Sequence, residues 1–576
     1  PQADWITNGG SLANQRYSPL DEIDAGNVKD LKGVWMTSLN RSGVAQKYSA
    51  EAQPIVYKGT IYQATGADDV FAVDVKTGKI LWQYQAKLDQ KITTVCCGWL
   101  SRGVAIGDGK VYIGQLEGKM VALDQKTGKV AWQTQVVKWQ SGSGITAAPL
   151  YYDGRIYTGI TGGEFGVRGR LTALDAKTGK EVWRFYTIPG PGEKGHETWP
   201  KGNDSWKHGG APVWQTPSVD PKLGMIYFTT GNASPDINGS QRAGDNLFTA
   251  SFVALDVKTG KYRWHFQMVH HDIWDFDAPS PTVLFEANVG GKTIPAIAEA
   301  EKTGFLYALD RRNGKPLWGI DEKPVPQDAY QRTAKTQPFP RNPAFAEQTP
   351  RPDAVAQIKK QIAEINKKEK TPLKVRVGTI FTPQPKDGVV ITAPDATGGT
   401  NWQPSSYNPK TNMIYVCSQD GVAGYSASDL PGFKEGAQYI GSIIAITGFG
   451  TNPGHLTAID ASTGKIAWNV DFPESCYAGS TTTAGNITFI GRNGGELEAY
   501  DATSGKRLWS FQTGAGANNA PTVFEQDGHE MVAFYAGGNS LAGTAHGDSL
   551  WLFSLDGTHG PVKAGSATAA GNHAGE

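Results

Sequence analysis

Three aspartates lie within six residues in the segment HHDIWDFDAPSP (270–281), beside two histidines and a tryptophan. Asp272, Asp275 and Asp277 are so close in sequence that they would repel one another unless a cation lies among them or water reaches all three. A carboxylate in such a group can take a proton from a substrate, and several together can hold a hard metal ion. The segment therefore predicts a cation site, a solvated acidic loop, or both.

Composition narrows the classes of protein that need to be considered. The chain has 576 residues with 55 basic and 55 acidic side chains, and it has no basic run, which argues against nucleic acid as a partner. No stretch approaches the ~18 consecutive apolar residues of a membrane helix, so we expect no membrane span. The 71 glycines, 33 prolines and 17 tryptophans indicate many turns and a repeated aromatic role.

The start of the chain and its cysteines bear on the compartment. The sequence begins PQADW without a methionine, which fits either a secreted protein whose leader has been removed or an ordinary cytosolic chain. Four cysteines in a chain of this length make no disulfide framework, and no CxxCH haem-attachment motif occurs. Cys417 and Cys476 lie far apart without metal-ligand spacing, so we expect them to be buried thiols.

An internal repeat, A-x-D-x-x-[ST]-G-K-x-x-W, sets the architecture. In FAVDVKTGKILW an alternating strand runs into the turn KTGK, where glycine supplies a positive φ, and a second strand follows. Another strand pair, such as PIVYKGTIYQAT, precedes most copies, so each unit is about four short strands. A lone four-stranded sheet cannot bury its faces, whereas radial packing as propeller blades buries them. The copies end at Trp35 (a degenerate first copy), Trp82, Trp132, Trp183, Trp264, Trp318, Trp468 and Trp509.

These repeats predict an all-β fold, an eight-bladed β-propeller of four-stranded antiparallel blades over residues 1–556, with seven blades as the alternative. The tryptophans would dock between neighbouring blades. Inserts are expected at about 187–212 and 325–370, and the second of these includes a helix over 353–369. The Gly- and Ala-rich end, 557–576, is expected to be flexible. A propeller does not by itself define a function.

The repeats, the Cys96–Cys97 pair and the WDFD segment together resemble the pyrroloquinoline quinone (PQQ) alcohol dehydrogenases, over about residues 5 to 555. Members of that family are eight-bladed periplasmic propellers with the quinone at the centre. The resemblance implies a periplasmic, PQQ-dependent dehydrogenase that oxidises primary alcohols. Because the chain has no haem motif, its electron acceptor would be a separate soluble cytochrome c.

The resemblance also places residues around the quinone. It implies that Cys96 and Cys97 close into a ring that covers one face, and that Trp214 lies beneath the other, where aromatic stacking adds to burial. Arg102 matches an arginine that binds a quinone carboxylate as a bidentate donor. Tyr477 stands where the family often has tryptophan. The other residues placed at the cofactor are Glu51, Thr146, Thr161, Gly162, Gly163, Lys302, Asn401 and Trp402.

Two of these positions carry the chemistry that the resemblance implies. Asp275 matches the base that takes the proton of the substrate hydroxyl while hydride passes to C5 of the quinone. Lys302 matches a cation near the reactive quinone oxygens, where its charge would stabilise the reduced quinol. Glu164 and Asn232, together with Asp275, match the metal ligands. Such an oxygen-rich shell suits calcium better than zinc or copper.

Asp277 leaves the choice of metal open. The D-x-D pattern is that of the lanthanide-dependent relatives, and three carboxylates are better matched by a trivalent ion. The same segment also resembles the membrane quinoprotein glucose and polyol dehydrogenases, which have W-D-x-D and use divalent metals. The expected ion is therefore calcium or a lanthanide(III). We expect Asp272, His270 and His271 to hold the loop or to line the substrate entrance.

Two other functions stay open. Within the enzymes, the alternative is a PQQ-dependent aldose or polyol dehydrogenase, and aldehydes could also be substrates. From another class, the alternative is a non-catalytic propeller scaffold of the bacterial outer membrane, which shares only the tryptophan repeat. Such a scaffold would have no use for Cys96, Cys97, Glu164, Asp275 and Lys302 together.

Overall fold

The computed structural model of the protein describes residues 4–368, 371–430, 432–446 and 452–566, with only the backbone described for 443–446. Strands dominate these residues, and the α-helix among them is Pro352–Asn366. Short 3-10 helices form at Val28–Asp30, Trp139–Ser141, Gly163–Phe165, His196–Thr198 and Ser205–His208. None of the helices in this described part of the chain is both long and apolar enough to cross a membrane.

Eight sheets in the described residues share one plan, in which four strands pair antiparallel with their neighbours. Sheets A to D are Ile55–Tyr57, Thr60–Ala64, Val70–Asp74 and Ile80–Tyr84 (A); Ala105–Gly107, Lys110–Gly114, Lys119–Asp124 and Val130–Gln135 (B); Leu150–Tyr152, Arg155–Gly159, Arg170–Asp175 and Glu181–Tyr186 (C); Ser218–Asp220, Met225–Thr229, Ser251–Asp256 and Tyr262–Gln267 (D). Sheets E to H are Val283–Val289, Lys292–Ala300, Leu306–Asp310 and Lys315–Pro316 (E); Ser406–Asn408, Met413–Gln419, Gly454–Asp460 and Ile466–Phe472 (F); Ser480–Thr483, Ile487–Gly491, Glu496–Asp501 and Arg507–Gln512 (G); Thr522–Gln526, His529–Ala536, Ser549–Ser554 and Lys32–Ser38 (H).

The remaining strands lie at the edges of this plan or between its sheets. Tyr17–Ser18 adds a parallel edge to sheet G, and Tyr48–Ala50 pairs in parallel with Trp99–Ser101. Ile320–Pro324 and Thr336–Pro340 form a hairpin. A further sheet consists of Lys374–Val377, Gly388–Thr392, Ala423–Ala427 and Ser442–Ile446. Its first two strands precede sheet F in the chain, and its last two lie between the second and third strands of sheet F.

Seven of the eight repeat tryptophans pack against the turn glycine of the following repeat. A Cβ placed on that glycine would lie 2.5 to 2.8 Å from the indole ring, so only glycine admits the ring. The pairs are Trp35–Gly78, Trp82–Gly128, Trp132–Gly179, Trp183–Gly260, Trp264–Gly314, Trp318–Gly464 and Trp468–Gly505. These glycines also have positive φ, which the T-G-K turn requires.

Hydrogen bonds from the indole nitrogens also connect successive repeats. Trp82 donates to the carbonyl of Gln125 at 3.1 Å, and five other repeat tryptophans donate to a backbone carbonyl of the following repeat in the same way. Trp509 donates to the carbonyl of Leu31 at 3.0 Å and so joins the last repeat to the first. The indole nitrogen of Trp183 has no partner among the described residues, although its ring still packs on Gly260.

The hydrophobic core lies between the faces of neighbouring sheets. Phe71 of sheet A, Val121 of sheet B and Leu552 of sheet H belong to one buried cluster. Together with the family comparison below, this packing confirms the predicted propeller of four-stranded sheets. The number of blades, eight, stays a prediction that the eight described sheets and the closed chain of tryptophan contacts favour.

The two predicted inserts contain short helices, an α-helix and a strand of a hairpin. The helix Pro352–Asn366 lies where a helix over 353–369 was predicted, and residues 369–370 lie outside the described residues. Within the predicted flexible end, His559 pairs with Gly33, so its first residues are attached to sheet H. Residues 567–576 lie outside the described residues.

The prediction for two of the cysteines was wrong. Cys417 and Cys476 are not thiols but form a disulfide across 59 residues, and Cys96 and Cys97 form a second one. Cys417 lies in a strand of sheet F, and Cys476 follows the last strand of the same sheet. The propeller places them next to each other, which their distance in sequence could not show.

Candidate active site

One cavity, with a volume of about 210 Å³, is lined by every residue that the sequence analysis placed at the cofactor or the metal. Those residues lie in links between sheets, such as Cys96–Cys97, or in loops between the second and third strands of a sheet, such as Lys302. Because antiparallel strands alternate in direction, both kinds of connection emerge at the same end of the propeller, opposite the T-G-K turns. The fold therefore gathers them from distant parts of the chain.

Aromatic rings and the adjacent disulfide supply the flat walls of this cavity. The Cys96–Cys97 disulfide is formed, as the resemblance implied, and it lines the cavity with Trp214. Trp402 and Tyr477 meet edge to face with ring centroids 5.8 Å apart. These groups offer apolar surfaces on which a planar ring system can stack.

A buried cation–carboxylate pair lies beside these walls. The Arg102 guanidinium is 2.9 Å from Glu51 Oε2, donates to Thr146 Oγ1 at 2.9 Å, and lies 4.9 Å from the centroid of the Trp214 ring. Burial lowers the pKa of Arg102, and Glu51 opposes that effect. Asn539 donates to the other oxygen of Glu51 at 3.0 Å. Arg102 can therefore present a positively charged donor to an anionic ligand in the cavity.

Lys302 lies between the two aspartates of the WDFD segment. Its Nζ is 2.8 Å from Asp277 Oδ1 and 3.1 Å from Asp275 Oδ2, and all three side chains are largely buried. Trp214 Nε1 donates to the second oxygen of Asp277 at 2.8 Å. In contrast, Asp275 Oδ1 is buried and has no hydrogen-bond partner in the described structure.

The charges of this group set opposite protonation tendencies for the two aspartates. Burial and then the neighbouring charge of Asp236 raise the pKa of Asp275 well above its ordinary value. Burial also acts to raise the pKa of Asp277, but the ammonium of Lys302 outweighs it and the pKa is lowered. Burial lowers the pKa of Lys302, yet the two carboxylates together raise it well above normal. Asp277 and Lys302 are thus a charged pair, and Asp275 is the readier proton carrier.

The WDFD segment alternates between core and cavity. Trp274 and Phe276 pack edge to face on Phe381, with ring centroids 5.3 and 6.0 Å away, while Asp275 and Asp277 face the cavity. Asp275 has a backbone φ of 62°, in the left-handed region that Asp adopts more readily than most residues. The apolar residues therefore anchor the loop that presents the carboxylates.

Asp272 braces this loop. Its carboxylate accepts the backbone N–H groups of Trp274 at 2.9 Å and Phe276 at 3.1 Å, and burial raises its pKa to about 6. His270 contacts Gln267 and Glu322, and both ring nitrogens of His271 contact backbone carbonyls. These three residues hold the loop, as predicted, and they do not line the cavity.

Glu164 and Asn232 form the opposite part of the acidic site. Glu164 lies in the 3-10 helix Gly163–Phe165, and burial followed by the charge of Asp277 raises its pKa. A Cβ placed on Gly163 would lie 2.0 Å from Asn232 Oδ1, so the amide packs directly on this glycine. Among the described residues, no set of three or more His, Cys, Asp or Glu side chains is arranged as a complete metal site.

The oxygens present nevertheless fit a hard cation. Asp275, Glu164 and Asn232 all line the cavity, and the buried Asp275 Oδ1, which has no hydrogen-bond partner among the described residues, calls for a counter-charge. The flat walls and Arg102 fit a planar, anionic quinone in the same cavity.

Sequence reasoning missed two residues that complete the site. Asp236, only 4% exposed, accepts a hydrogen bond from Asn232, and Asn539 holds Glu51. Neither lies in a repeat, and only the position of Asp236 four residues after Asn232 could have suggested it. The structure also engages the Asn401 side chain with its own loop, through Thr397 O at 2.9 Å and Trp402 N at 2.8 Å.

Comparisons with known proteins agree with this architecture. The family model described as "Glucose/ethanol/alcohol dehydrogenase, beta-propeller domain" matches residues 5–430, which contain every predicted site residue except Tyr477. The model described as "Outer membrane protein assembly factor BamB" matches residues 386–574. The second match covers a third of the chain and reflects the repeats that both families contain.

Individual relatives cover nearly the whole chain. The quinoprotein alcohol dehydrogenase PedH of Pseudomonas putida is 34% identical over 96% of this chain and 91% of its own length. The crystal structure of the quinohemoprotein alcohol dehydrogenase from Comamonas testosteroni superposes with a TM-score of 0.81 at 30% identity, covering 98% of this chain and 82% of that one. A europium-containing methanol dehydrogenase superposes with a TM-score of 0.79 at 27% identity, covering 96% and 98%.

Fold and cavity together define a β-propeller dehydrogenase. The chain belongs to the PQQ-dependent, or quinoprotein, alcohol dehydrogenase family, and it is therefore an oxidoreductase and not the scaffold that the repeats alone allowed.

Proposed function

We propose that the chain oxidises primary alcohols with PQQ bound in the cavity described above, using Asp275 as the base. The observation that carries this proposal is the position of Asp275 beside Lys302, in the wall of a cavity that suits a planar anionic ligand, with one buried carboxylate oxygen that has no hydrogen-bond partner among the described residues. Membership of the alcohol dehydrogenase family supports the same reaction.

The cofactor would be held by residues of three kinds. The Cys96–Cys97 disulfide and Trp214 would stack on the ring system, and Arg102, fixed by Glu51, would pair with a carboxylate of the quinone. Backbone and hydroxyl groups along the cavity would complete the contacts, at Thr146, Thr161, Gly162, Gly163, Asn401, Trp402 and Tyr477. When bound, the quinone supplies the hydride acceptor, and a metal ion held by Glu164, Asn232, Asp275 and Asp277 polarises it.

Proton removal is the task of the protein itself. Lys302 contacts Asp275 through Oδ2, and Oδ1 has no hydrogen-bond partner among the described residues, so one oxygen is oriented while the other is available for the hydroxyl proton. The raised pKa of Asp275 makes it a stronger base than an ordinary aspartate once it is deprotonated. Lys302 also keeps a positive charge beside the site throughout.

The identity of the ion depends on Asp277. Its carboxylate is buried beside Asp275 and is held by Lys302 and Trp214, so a third negative charge lies within the acidic site. This charge favours a trivalent ion, and the relative of known structure that contains europium is consistent with it. Calcium stays the alternative, since Lys302 already balances one of the three charges.

The cavity wall bears on the substrate. Val95, Leu100, Phe165 and Leu541 add apolar side chains to it, which fits a short alcohol better than a sugar with many hydroxyls. An aldose or polyol would need hydrogen-bond partners that this part of the wall does not supply. We further propose that a cytochrome c takes up the electrons in the periplasm, in keeping with the family.

The test is dye-linked ethanol oxidation by metal-free protein supplied with PQQ and either calcium or lanthanum. Activity with lanthanum alone is expected if Asp277 is a ligand, and Asp277→Ala should then abolish it. Activity with calcium alone would give Asp277 a supporting role near the ion. Glucose run in parallel separates the aldose alternative, and no oxidation of either substrate with either ion would refute the proposal.

A further inference from the structure

We propose that Asp236 is a positioning residue, which fixes the side-chain amide of Asn232 so that its carbonyl oxygen faces the metal ion. The inference rests on the proposed function, because it concerns the same ion. It adds a residue outside the predicted ligand set and assigns it a geometric task.

Both hydrogens of the Asn232 side-chain amide are used within the protein. Nδ2 donates to Asp236 Oδ1 at 2.8 Å and to the carbonyl of Ala233 at 3.0 Å. An amide nitrogen has two hydrogens, so these two acceptors use both of them. Oδ1 is then the atom that the amide offers to the cavity. A flipped amide would present its nitrogen, which is a donor without a lone pair for a cation.

The oxygen points where a ligand is needed. Asn232 is only 1% exposed, and its amide packs on Gly163, next to Glu164. Asn232, Gly163 and Glu164 all line the same cavity. Because the amide lies against Gly163, no side chain fits at position 163, and the proposed ligands Asn232 and Glu164 stay adjacent.

Asp236 is itself held firmly from both sides. Its N–H donates to the carbonyl of Tyr439 at 3.2 Å, and the N–H of Tyr439 donates to the carbonyl of Glu164 at 2.7 Å. Arg242, fully buried, donates through Nη2 to the carbonyl of Pro235 at 2.8 Å. One residue, Tyr439, therefore connects the backbones that carry Glu164 and Asp236.

The task requires an acceptor oxygen at position 236 and not a charge. Asp236→Asn keeps such an oxygen, whereas Asp236→Leu removes it and keeps the branched shape of the side chain. Groups behind metal ligands typically affect metal affinity by about 10- to 100-fold. We therefore expect Asp236→Leu to weaken metal binding by at least about tenfold, and Asp236→Asn to leave the affinity close to that of the wild type.

The experiment measures metal bound by the PQQ-loaded protein at buffered free lanthanum or calcium, by mass spectrometry. Asp204→Leu is the matched control, since Asp204 is an exposed carboxylate that pairs only with Lys207 in the described contacts, and it should bind metal as the wild type does. Asn232→Asp adds a second arm, because a carboxylate presents an oxygen in either orientation. In that background Asp236→Leu should have no further effect.

The outcomes separate this inference from the proposed function. Wild-type affinity in Asp236→Leu overturns the inference alone. An equal loss in Asp236→Asn and Asp236→Leu shows that charge and not orientation acts. If Asp236→Leu lowers metal affinity equally with and without the Asn232→Asp substitution, the role of Asp236 is merely structural. An equal loss in the two Asp236 variants, or an equal loss in the two backgrounds, overturns the inference. A wild-type protein that binds no metal with PQQ present overturns the proposed function and this inference together.

Discussion

At the scale of single residues, Lys302 is the counter-ion of the acidic site. Its ammonium is the group within 3.1 Å of both Asp275 and Asp277, and all three side chains are shielded from water. Removing one partner of a buried ion pair leaves an uncompensated charge, which costs far more than losing a pair on the surface. The stability of the metal-free protein should therefore depend on this one lysine.

Lys302→Met should lower the free energy of unfolding of the metal-free protein by about 3 kcal/mol at neutral pH, because two buried carboxylates lose their cation. Lys76→Met is the control, since Lys76 pairs with Asp527 at the surface, where both side chains are 61% exposed and water screens the pair, so that its loss should change stability little. Denaturant unfolding measures both. Equal stabilities of the two variants would show that Lys302 does not balance the aspartates.

The cavity residues also show what sequence can predict at this scale. The identities of the lining residues followed from a resemblance to a family, and the structure brings all of them together. Asp236 was not predicted because nothing local distinguishes a buried carboxyl from a surface one. Its role depends on the distance to Asn232 and on burial, which are properties of the folded chain.

At the scale of strands and turns, the repeat determines the packing more directly. The T-G-K glycine and the repeat tryptophan were both visible in sequence, and seven of the eight indole rings pack on the glycine of the next repeat. Cys417 and Cys476 show the limit of such reasoning. Their pairing follows from the arrangement of strands in sheet F, while a separation of 59 residues carries no information about it.

The contact between indole and glycine can be tested within a single sheet. Gly260 and Gly224 both belong to turns of sheet D and have φ values of 69° and 64°, but a Cβ on Gly260 would lie 2.6 Å from the Trp183 ring, while Gly224 has open space around it. Both alanine variants carry the backbone penalty of about 1 to 2 kcal/mol. The free energy of unfolding of Gly260→Ala should fall by about 1 to 3 kcal/mol more than that of Gly224→Ala, because the added methyl group overpacks the Trp183 ring.

Thermal unfolding of Gly260→Ala and Gly224→Ala, followed by indole fluorescence, measures that difference. Equal losses in the two variants would mean that the tryptophan moves aside at no cost, and that docking between sheets contributes little to stability.

At the scale of the whole molecule, sheet H closes the ring of sheets. Its strand Lys32–Ser38 comes from the start of the propeller and pairs with Ser549–Ser554 near the end. Glu530, 3% exposed in the same sheet, accepts the N–H of Ile23 at 2.9 Å and so binds the segment that leads to this strand. Burial raises the pKa of Glu530 from 4.5 to about 7.

This raised pKa makes the closure sensitive to pH. The folded protein holds the Glu530 proton more tightly than the unfolded chain does, so the free energy of unfolding falls as pH rises from about 5 to 7 and stays lower above that. A shift from 4.5 to about 7 corresponds to about 3 kcal/mol. Glu530→Gln keeps an acceptor for Ile23 and cannot ionise, so its stability relative to the wild type should increase over this range.

Melting temperatures of wild type and Glu530→Gln at pH 5, 6, 7 and 8 test the effect. Glu525→Gln is the control, since Glu525 pairs directly across from Glu530 in sheet H and is only half-buried. A constant difference between Glu530→Gln and wild type at every pH would show that the buried carboxyl does not control the closure.

The closing strand also orders events during synthesis. Lys32–Ser38 leaves the ribosome long before Ser549–Ser554, so its backbone has no strand to pair with until nearly the whole chain has been made. The hydrogen bond between Glu51 and Asn539, which are 488 residues apart, also cannot form until late in synthesis. Contacts of such long range form slowly, and an unpaired strand is prone to associate with other chains. We therefore expect the nascent protein to need protection until translation ends, and to acquire its cofactor only afterwards.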